Sequence, residues 1–223
     1  MREGFVPNFD GELRNHILKV PEEIYSCSGM IIFGRRIKSL VFTTDLAIIR
    51  NSNADGVLAV YPFTPQPVIS QALIHAADTP VFTGVGGGTT RGIRCVELAK
   101  FVEHQGATGV VVNAPTEPKV IEQIRNSIDI PIISTVLSFD SIIEDKLKAG
   151  VSILNVSAAA KTPEVVAKIR DKYPDVPILA TGGPTGDSIR ATVKAGANVI
   201  SWTPPSAAEI FKGMMAKYRN GNI

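Results

Sequence analysis

The chain has 223 residues, 44% of them hydrophobic and 20% charged, enough for one substantial core and too few for two sizeable domains. Its 23 Lys and Arg nearly balance 21 Asp and Glu and are scattered, which argues against a nucleic-acid stripe or a membrane-binding cluster. Cys27 and Cys95 have neither metal-ligand nor redox spacing and read as reduced thiols, and no metal site is expected. Met1 to Arg14 mixes charge with Gly and Pro and lacks the apolar run of an export signal. No segment reaches the roughly 18 apolar residues of a membrane span. A cytoplasmic protein is expected, neither exported nor inserted, with no nucleic-acid or membrane partner.

Taken in chain order, residues 1–36 read as an N-terminal extension. It comprises a short helix and an extended piece around Met30 to Phe33 that closes the bottom of the fold built by the rest of the chain. An alternative places the first strand at Met30 to Phe33 and makes Ser39 to Phe42 part of a hairpin. Over residues 37–223, eight short apolar runs alternate with helical periodicity: Ser39 to Phe42, Val57 to Tyr61, Val81 to Val85, Val110 to Asn113, Ile132 to Val136, Ile153 to Val156, Ile178 to Thr181 and Val199 to Trp202. Apolar residues on both faces of each run are the mark of a parallel sheet covered on both sides. The alternation allows an open doubly wound sheet, but eight units without an inserted domain favour a single (β/α)8 TIM barrel.

The punctuation repeats every two units. The third, fifth and seventh runs open with Pro80, Pro131 and Pro177, where a missing amide removes no needed ladder bond. The even runs follow glycines, Gly56, Gly106 with Gly109, Gly150 and Gly196, expected to end the preceding helix in the left-handed conformation. Thr64-Pro65, Thr162-Pro163 and the Ser206 to Glu209 box read as helix N-termini. Capping competes with ligand contact at Thr116 and Thr185.

In such barrels the site lies just after the strands. The segment Ile178-Leu179-Ala180-Thr181-Gly182-Gly183-Pro184-Thr185, followed by Ala195-Gly196-Ala197-Asn198-Val199, resembles the strand-seven and strand-eight region of the phosphate-binding barrels. Those include the ribulose-phosphate-binding group and FMN-linked barrels similar to nitronate monooxygenase. The resemblance implies that Thr181, Gly182, Gly183 and Thr203 meet a phosphate, since free amides and a helix dipole favour an anion. Trp202-Thr203-Pro204-Pro205 departs from the pattern by removing two amide donors.

A second glycine run, Gly84 to Gly88 with Arg91 beyond it, offers another cradle, in which Gly86, Gly87, Gly88 and Arg91 are the ligand-binding candidates. Asp45 stands immediately after a strand and is the candidate general base, with N-capping as its rival. Asn113 and Asn155 hold equivalent places on the fourth and sixth runs and would hydrogen-bond a carbonyl or hydroxyls without transferring a proton. His16, His75 and His104 fall outside these places. A Schiff-base lysine is missing from the sixth run, where Asn155 stands.

These residues imply an enzyme for a small phosphorylated metabolite, of isomerase, epimerase or lyase type. Its alternatives are an FMN-dependent oxidoreductase, in which the flavin carries the chemistry, and a hydrolase-like or non-catalytic ligand-binding barrel. The cofactor is left open, FMN being compatible, and so is a homo-oligomer.

Overall fold

The computed structural model describes Pro7 and residues 17–221. His16 lies outside the described residues; of the extension, a short 3-10 helix is seen at Glu22–Ser26. A hairpin comes first, β1 (Met30–Ile32) and β2 (Arg35–Ile37), turning through Phe33 at φ 47° and Gly34 at φ 79°, the pair of left-handed residues that a two-residue hairpin needs. Eight parallel strands come next: β3 (Ser39–Phe42), β4 (Gly56–Ala59), β5 (Val81–Gly86), β6 (Gly109–Val112), β7 (Ile132–Val136), β8 (Ile153–Val156), β9 (Ile178–Thr181) and β10 (Val199–Trp202). They close in the order β10-β3-β4-β5-β6-β7-β8-β9. The chain is therefore a (β/α)8 barrel, not an open sheet, and its first barrel strand is Ser39–Phe42, since β1 pairs with β2.

The helices that cover the barrel are α1 (Leu46–Arg50), α2 (Pro67–Ala76), α3 (Ile93–His104), α4 (Pro118–Arg125), α5 (Ile142–Lys148), α6 (Thr162–Lys172), α7 (Gly186–Lys194) and α8 (Ala207–Arg219). None is long and apolar enough to cross a membrane. Side chains alternate across each strand. Val41, Val57, Val110, Ile132, Leu154, Ile178 and Ile200 face the helices, in one large buried cluster. Leu40, Leu58, Phe82, Val111, Ile133, Ile153, Leu179 and Val199 point inward and pack into a second. Met30, Ile32 and Ile37 of the hairpin join this inner cluster, which places the hairpin across the end where the strands begin.

The two-unit repeat has a cause that the glycines only partly expressed. A polar residue just before each of three even barrel strands holds the amide that opens its odd neighbour. Asp55 Oδ2 accepts from Lys38 N at 2.8 Å and Ser39 N at 3.0 Å, Ser152 Oγ from Ile132 N at 3.3 Å, and Asn198 Oδ1 from Ile178 N at 2.9 Å. Gly106, Gly150 and Gly196 end helices at φ 92°, 104° and 110°. Gly56 does not: it lies in β4, where an added Cβ would sit 2.9 Å from Leu40 and from the Pro80 carbonyl.

Between α7 and the α1–β4 connection the outer layer is built by residues 20–27. Val20, Ile24 and Cys27 are buried there, and burial pushes the Cys27 thiol up to about 11. By contrast, α8 contributes no buried residue.

Candidate functional site

The inward alternation carries the chain from a dry plug to a polar mouth. Two residues beyond the apolar layer, at the ends of the strands, stand Phe42, Val60, Gly84, Asn113, Thr135, Asn155, Thr181 and Ser201. All but Gly84 line a cavity of about 220 Å³ at the C-terminal face, with Ser157 and Thr203 at its rim. Asn113, Asn155, Thr181 and Thr203 are thus brought together around one cavity. Thr135, Ser157 and Ser201 were not singled out, although counting by two from the buried Ile133, Ile153 and Val199 reaches all three.

Among the described residues, no ionisable side chain lines this mouth. Asn155 donates through Nδ2 to Thr135 Oγ1 at 3.2 Å, while its Oδ1 is buried with no partner. Asn113 donates to the Gly87 carbonyl at 2.9 Å. The nearest buried cation, Lys146, reaches from α5 to the carbonyls of Ala114 at 2.9 Å and Thr135 at 3.4 Å. Burial lowers its pKa and the charge of Asp140 partly offsets this.

The ring of side chains is broken at Gly84. Gly84, whose missing side chain leaves room taken up by Val60, borders a front cleft of about 200 Å³ between Tyr61 to Pro65 and the Gly86 to Thr90 loop; Val60 and Asn113 border both spaces. The loop has a tight foot and a loose tip. At Gly86 a Cβ would collide with Cys95 Sγ, and at Gly87, φ 90°, it would sit 2.5 Å from Thr116 Oγ1. Gly88, φ 141°, faces open space. Gly87 N donates to the Thr90 carbonyl at 3.1 Å, but the amides of Gly88, Thr89, Thr90 and Arg91 meet no acceptor among the described residues. Arg91 lines a cavity behind the loop, not the front cleft, and its Nε donates to the Gly88 carbonyl at 3.0 Å.

The other glycine turn is built differently. Gly182 is buried, its amide donates to the Ser201 carbonyl at 3.2 Å, and a Cβ there would lie 2.6 Å from Ile200 Cγ2. Gly183, φ 80°, keeps a free amide among the described residues, Pro184 has none, and Thr185 N donates to Ser188 Oγ at 3.1 Å. The next helix already holds carboxylates. Glu23 lies against the α-carbon of Gly186 and pairs with Arg190 at 2.7 Å, and Asp187 pairs with the same arginine. At α8, Ser206 and Glu209 form a capping box, and Pro204 and Pro205 supply no amides.

Asp45 caps α1: its Oδ1 accepts from Ala47 N at 2.8 Å and Ile48 N at 3.2 Å, and it does not line the mouth. Thr185 is likewise the N-cap of α7. Three candidate caps are not caps. Thr64 bonds Thr89 across the front cleft at 3.1 Å while Gln66 precedes α2. Thr162 lies inside α6 and accepts from Ala158 N. Thr116 precedes the N-cap Glu117, and its hydroxyl is buried without a partner. His75 and His104 are on α2 and α3, away from the mouth.

No protein family and no curated protein matches the sequence. Solved structures match the fold. The phosphoenolpyruvate phosphomutase of Streptomyces platensis subsp. rosaceus superposes with a TM-score of 0.61 at 12% identity, over 81% of this chain and 80% of that one. The thiamine phosphate pyrophosphorylase of Pyrococcus furiosus does so with 0.57 at 20%, over 74% and 84%. A mandelate oxidase variant with an FMN adduct gives 0.63 at 14%, over 79% and 68%. These neighbours are barrel enzymes, and at such identities the likeness establishes the fold alone.

Proposed function

We propose that the protein is an enzyme acting on a small phosphorylated metabolite, of isomerase, epimerase or lyase type, at the C-terminal mouth of the barrel. The observation that carries this reading is the ring of neutral donors and acceptors over an apolar plug, beside a front cleft bordered by a loop whose amides meet no acceptor among the described residues. Asn155 Oδ1 would accept from a substrate hydroxyl, and the second Nδ2 hydrogens of Asn113 and Asn155 would donate to a carbonyl oxygen as charge develops on it. The anionic end would lie in the front cleft, against Gly88 and Thr89. Gly182 and Gly183 would contribute the single free amide of Gly183. Asp45 is the proposed base through the oxygen that its cap leaves free; it stands outside the mouth, and a substrate would have to extend to it there.

FMN fits these residues poorly. Where the resemblance puts its phosphate stand Pro204, Pro205 and the carboxylate of Glu209.

The test is thermal denaturation with inorganic phosphate, a panel of three- to six-carbon sugar phosphates, and FMN. A ligand at a hundred times its Kd stabilises the native state by about 2.7 kcal/mol. A sugar phosphate is expected to do so, and Asn155→Ala to remove the effect. Stabilisation by FMN alone, with a yellow complex, would overturn the reading. Asp45→Asn then separates cap from base, because Asn caps a helix about as well as Asp. Melting is expected to stay unchanged while turnover falls at least about 100-fold, and unchanged turnover would remove Asp45 as the base.

A further inference from the structure

A ring of eight outer helices would close with α8 between α7 and α1. In this chain that place is filled by the segment before the hairpin. Val20, Ile24 and Cys27 are buried there, Glu23 pairs with Arg190 of α7, and Val20 N donates at 2.8 Å to Asn53 Oδ1, beyond α1. Helix α8 is thereby left outside the ring. Ala207 and Ile210, in its first turn, are partly buried, and from Phe211 to Arg219 every residue is exposed. Its sequence is nonetheless that of a helix that packs against something. At about 100° per residue, Ile210, Met214, Ala207, Tyr218, Phe211 and Met215 follow one another around one continuous apolar arc. Glu209, Lys212, Lys217 and Arg219 take the rest of the circumference. Phe211 is 68% exposed and Tyr218 49%. A lone helix of this length is marginal in water, and Gly213 in its middle weakens it further.

We propose that α8 is a dimerisation helix, and that two copies of the chain pair their α8 arcs antiparallel about a twofold axis. Size and charge argue for this occupant. With roughly 150–250 Å² to an aromatic side chain, the exposed parts of Phe211, Tyr218, Met214 and Met215 offer about 400 Å² per copy, a patch large enough to mark an interaction site. Two such patches with their rims reach the roughly 1,000 Å² of a specific interface. The first turn of α8 carries Glu209 and the last turn Lys217 and Arg219. An antiparallel pair sets the acidic turn of each copy beside the basic turn of the other and opposes the helix dipoles, whereas a parallel pair would bring both basic ends together. Such a pair is self-complementary and closes at two. Phe211 then packs on the partner's Met214, a favourable sulfur–aromatic contact, and Ala207 on the partner's Tyr218.

Sedimentation velocity of the full chain, from low to high micromolar concentration, tests this. Wild type is expected to pass from monomer to dimer. Phe211→Ser combined with Met214→Ser should raise the concentration of half-dimerisation at least about tenfold. Because α8 has no buried residue, the double variant should melt with the wild-type midpoint when both are dilute enough to be monomeric. Orientation is read by oxidative cross-linking, the native cysteines being buried. Copies carrying Ala207→Cys mixed with copies carrying Tyr218→Cys should give the crossed disulfide, and Tyr218→Cys alone should give little. A wild type that stays monomeric, an unshifted midpoint of association in the double variant, or preferential Tyr218→Cys homodimers would each overturn the proposal. So would a lowered melting midpoint in the dilute double variant, which would mean that the arc packs on its own barrel. A monomer that sediments with phosphatidylserine vesicles would overturn it in favour of a membrane surface.

Discussion

Two glycine turns face the same end of the barrel, and they resolve their backbone in opposite ways. After β9, Gly182 is buried with its amide in use, Pro184 has no amide, Thr185 is satisfied by Ser188, and carboxylates of Glu23 and Asp187 stand at the next helix. After β5, four successive amides from Gly88 to Arg91 lack acceptors among the described residues, and two buried hydroxyls beside them are unpaired there. The first turn keeps one free amide among the described residues, that of Gly183, whereas the second keeps four. Glycine content therefore does not identify an anion cradle; the fate of the amides does.

The largest effect expected from this contrast is at Gly182. A methyl group there lies 2.6 Å from Ile200 Cγ2 and 3.0 Å from Ile189 Cγ1, both fixed in the buried layer, and overpacking of that kind costs about 1–3 kcal/mol. Gly182→Ala should lower the denaturation midpoint accordingly while the Asn155-dependent ligand effect survives in the folded fraction. Loss of that effect at unchanged stability would show the turn to be a binding element and reverse the comparison.

Next in size is Gly86, the foot of the other loop. Its methyl would meet Cys95 Sγ, a thiol that is buried, held at the Thr90 carbonyl at 3.3 Å, and raised in pKa by that burial. Gly86→Ala should destabilise by about 1–3 kcal/mol. Cys95→Ala in the same chain should recover part of the loss, a positive coupling readable in a double-mutant cycle. Additive losses would mean that the strap does not rest on the thiol. At the tip, Gly88→Ala meets open space and only the strain of φ 141°, roughly 1 kcal/mol, but should impair ligand binding at the front cleft more than it impairs folding.

Much of the architecture was legible because it rests on local regularities. The eight apolar runs became the eight barrel strands within a residue or two at their ends, since buried parallel strands announce themselves by Val and Ile on both faces. The mouth was half legible: Asn113 and Asn155 stood out as unusual residues at strand ends, while Thr135, Ser157 and Ser201 are ordinary ones that acquire meaning only from the inward register. The anion readings were harder. Whether Gly182 N is free depends on a carbonyl of Ser201, about twenty residues away, and the carboxylate at α7 comes from Glu23, at the far end of the chain. Caps failed for a similar reason: Thr64 and Thr162 carry the right chemistry one or two places away from where the helices begin.

The smallest effect concerns α8, where the resemblance to phosphate-binding barrels would place a second set of donors. Ser206 O–H and N–H hold the Glu209 carboxylate and lower its pKa. A carboxyl depressed in the folded state contributes stability that is present above its unfolded pKa, near 4.3, and is lost as pH falls from there through the folded value. The contribution of the box should therefore be intact at neutral pH and vanish in acid, seen as a loss of helical circular dichroism in wild type that Glu209→Gln does not share. The same variant removes the negative charge from the first turn of α8. If that turn were an anion site masked by its own carboxylate, Glu209→Gln would tighten phosphate binding. With Pro204 and Pro205 supplying no amides, affinity should stay unchanged, because the missing donors, more than the charge, close this end of the barrel to a phosphate.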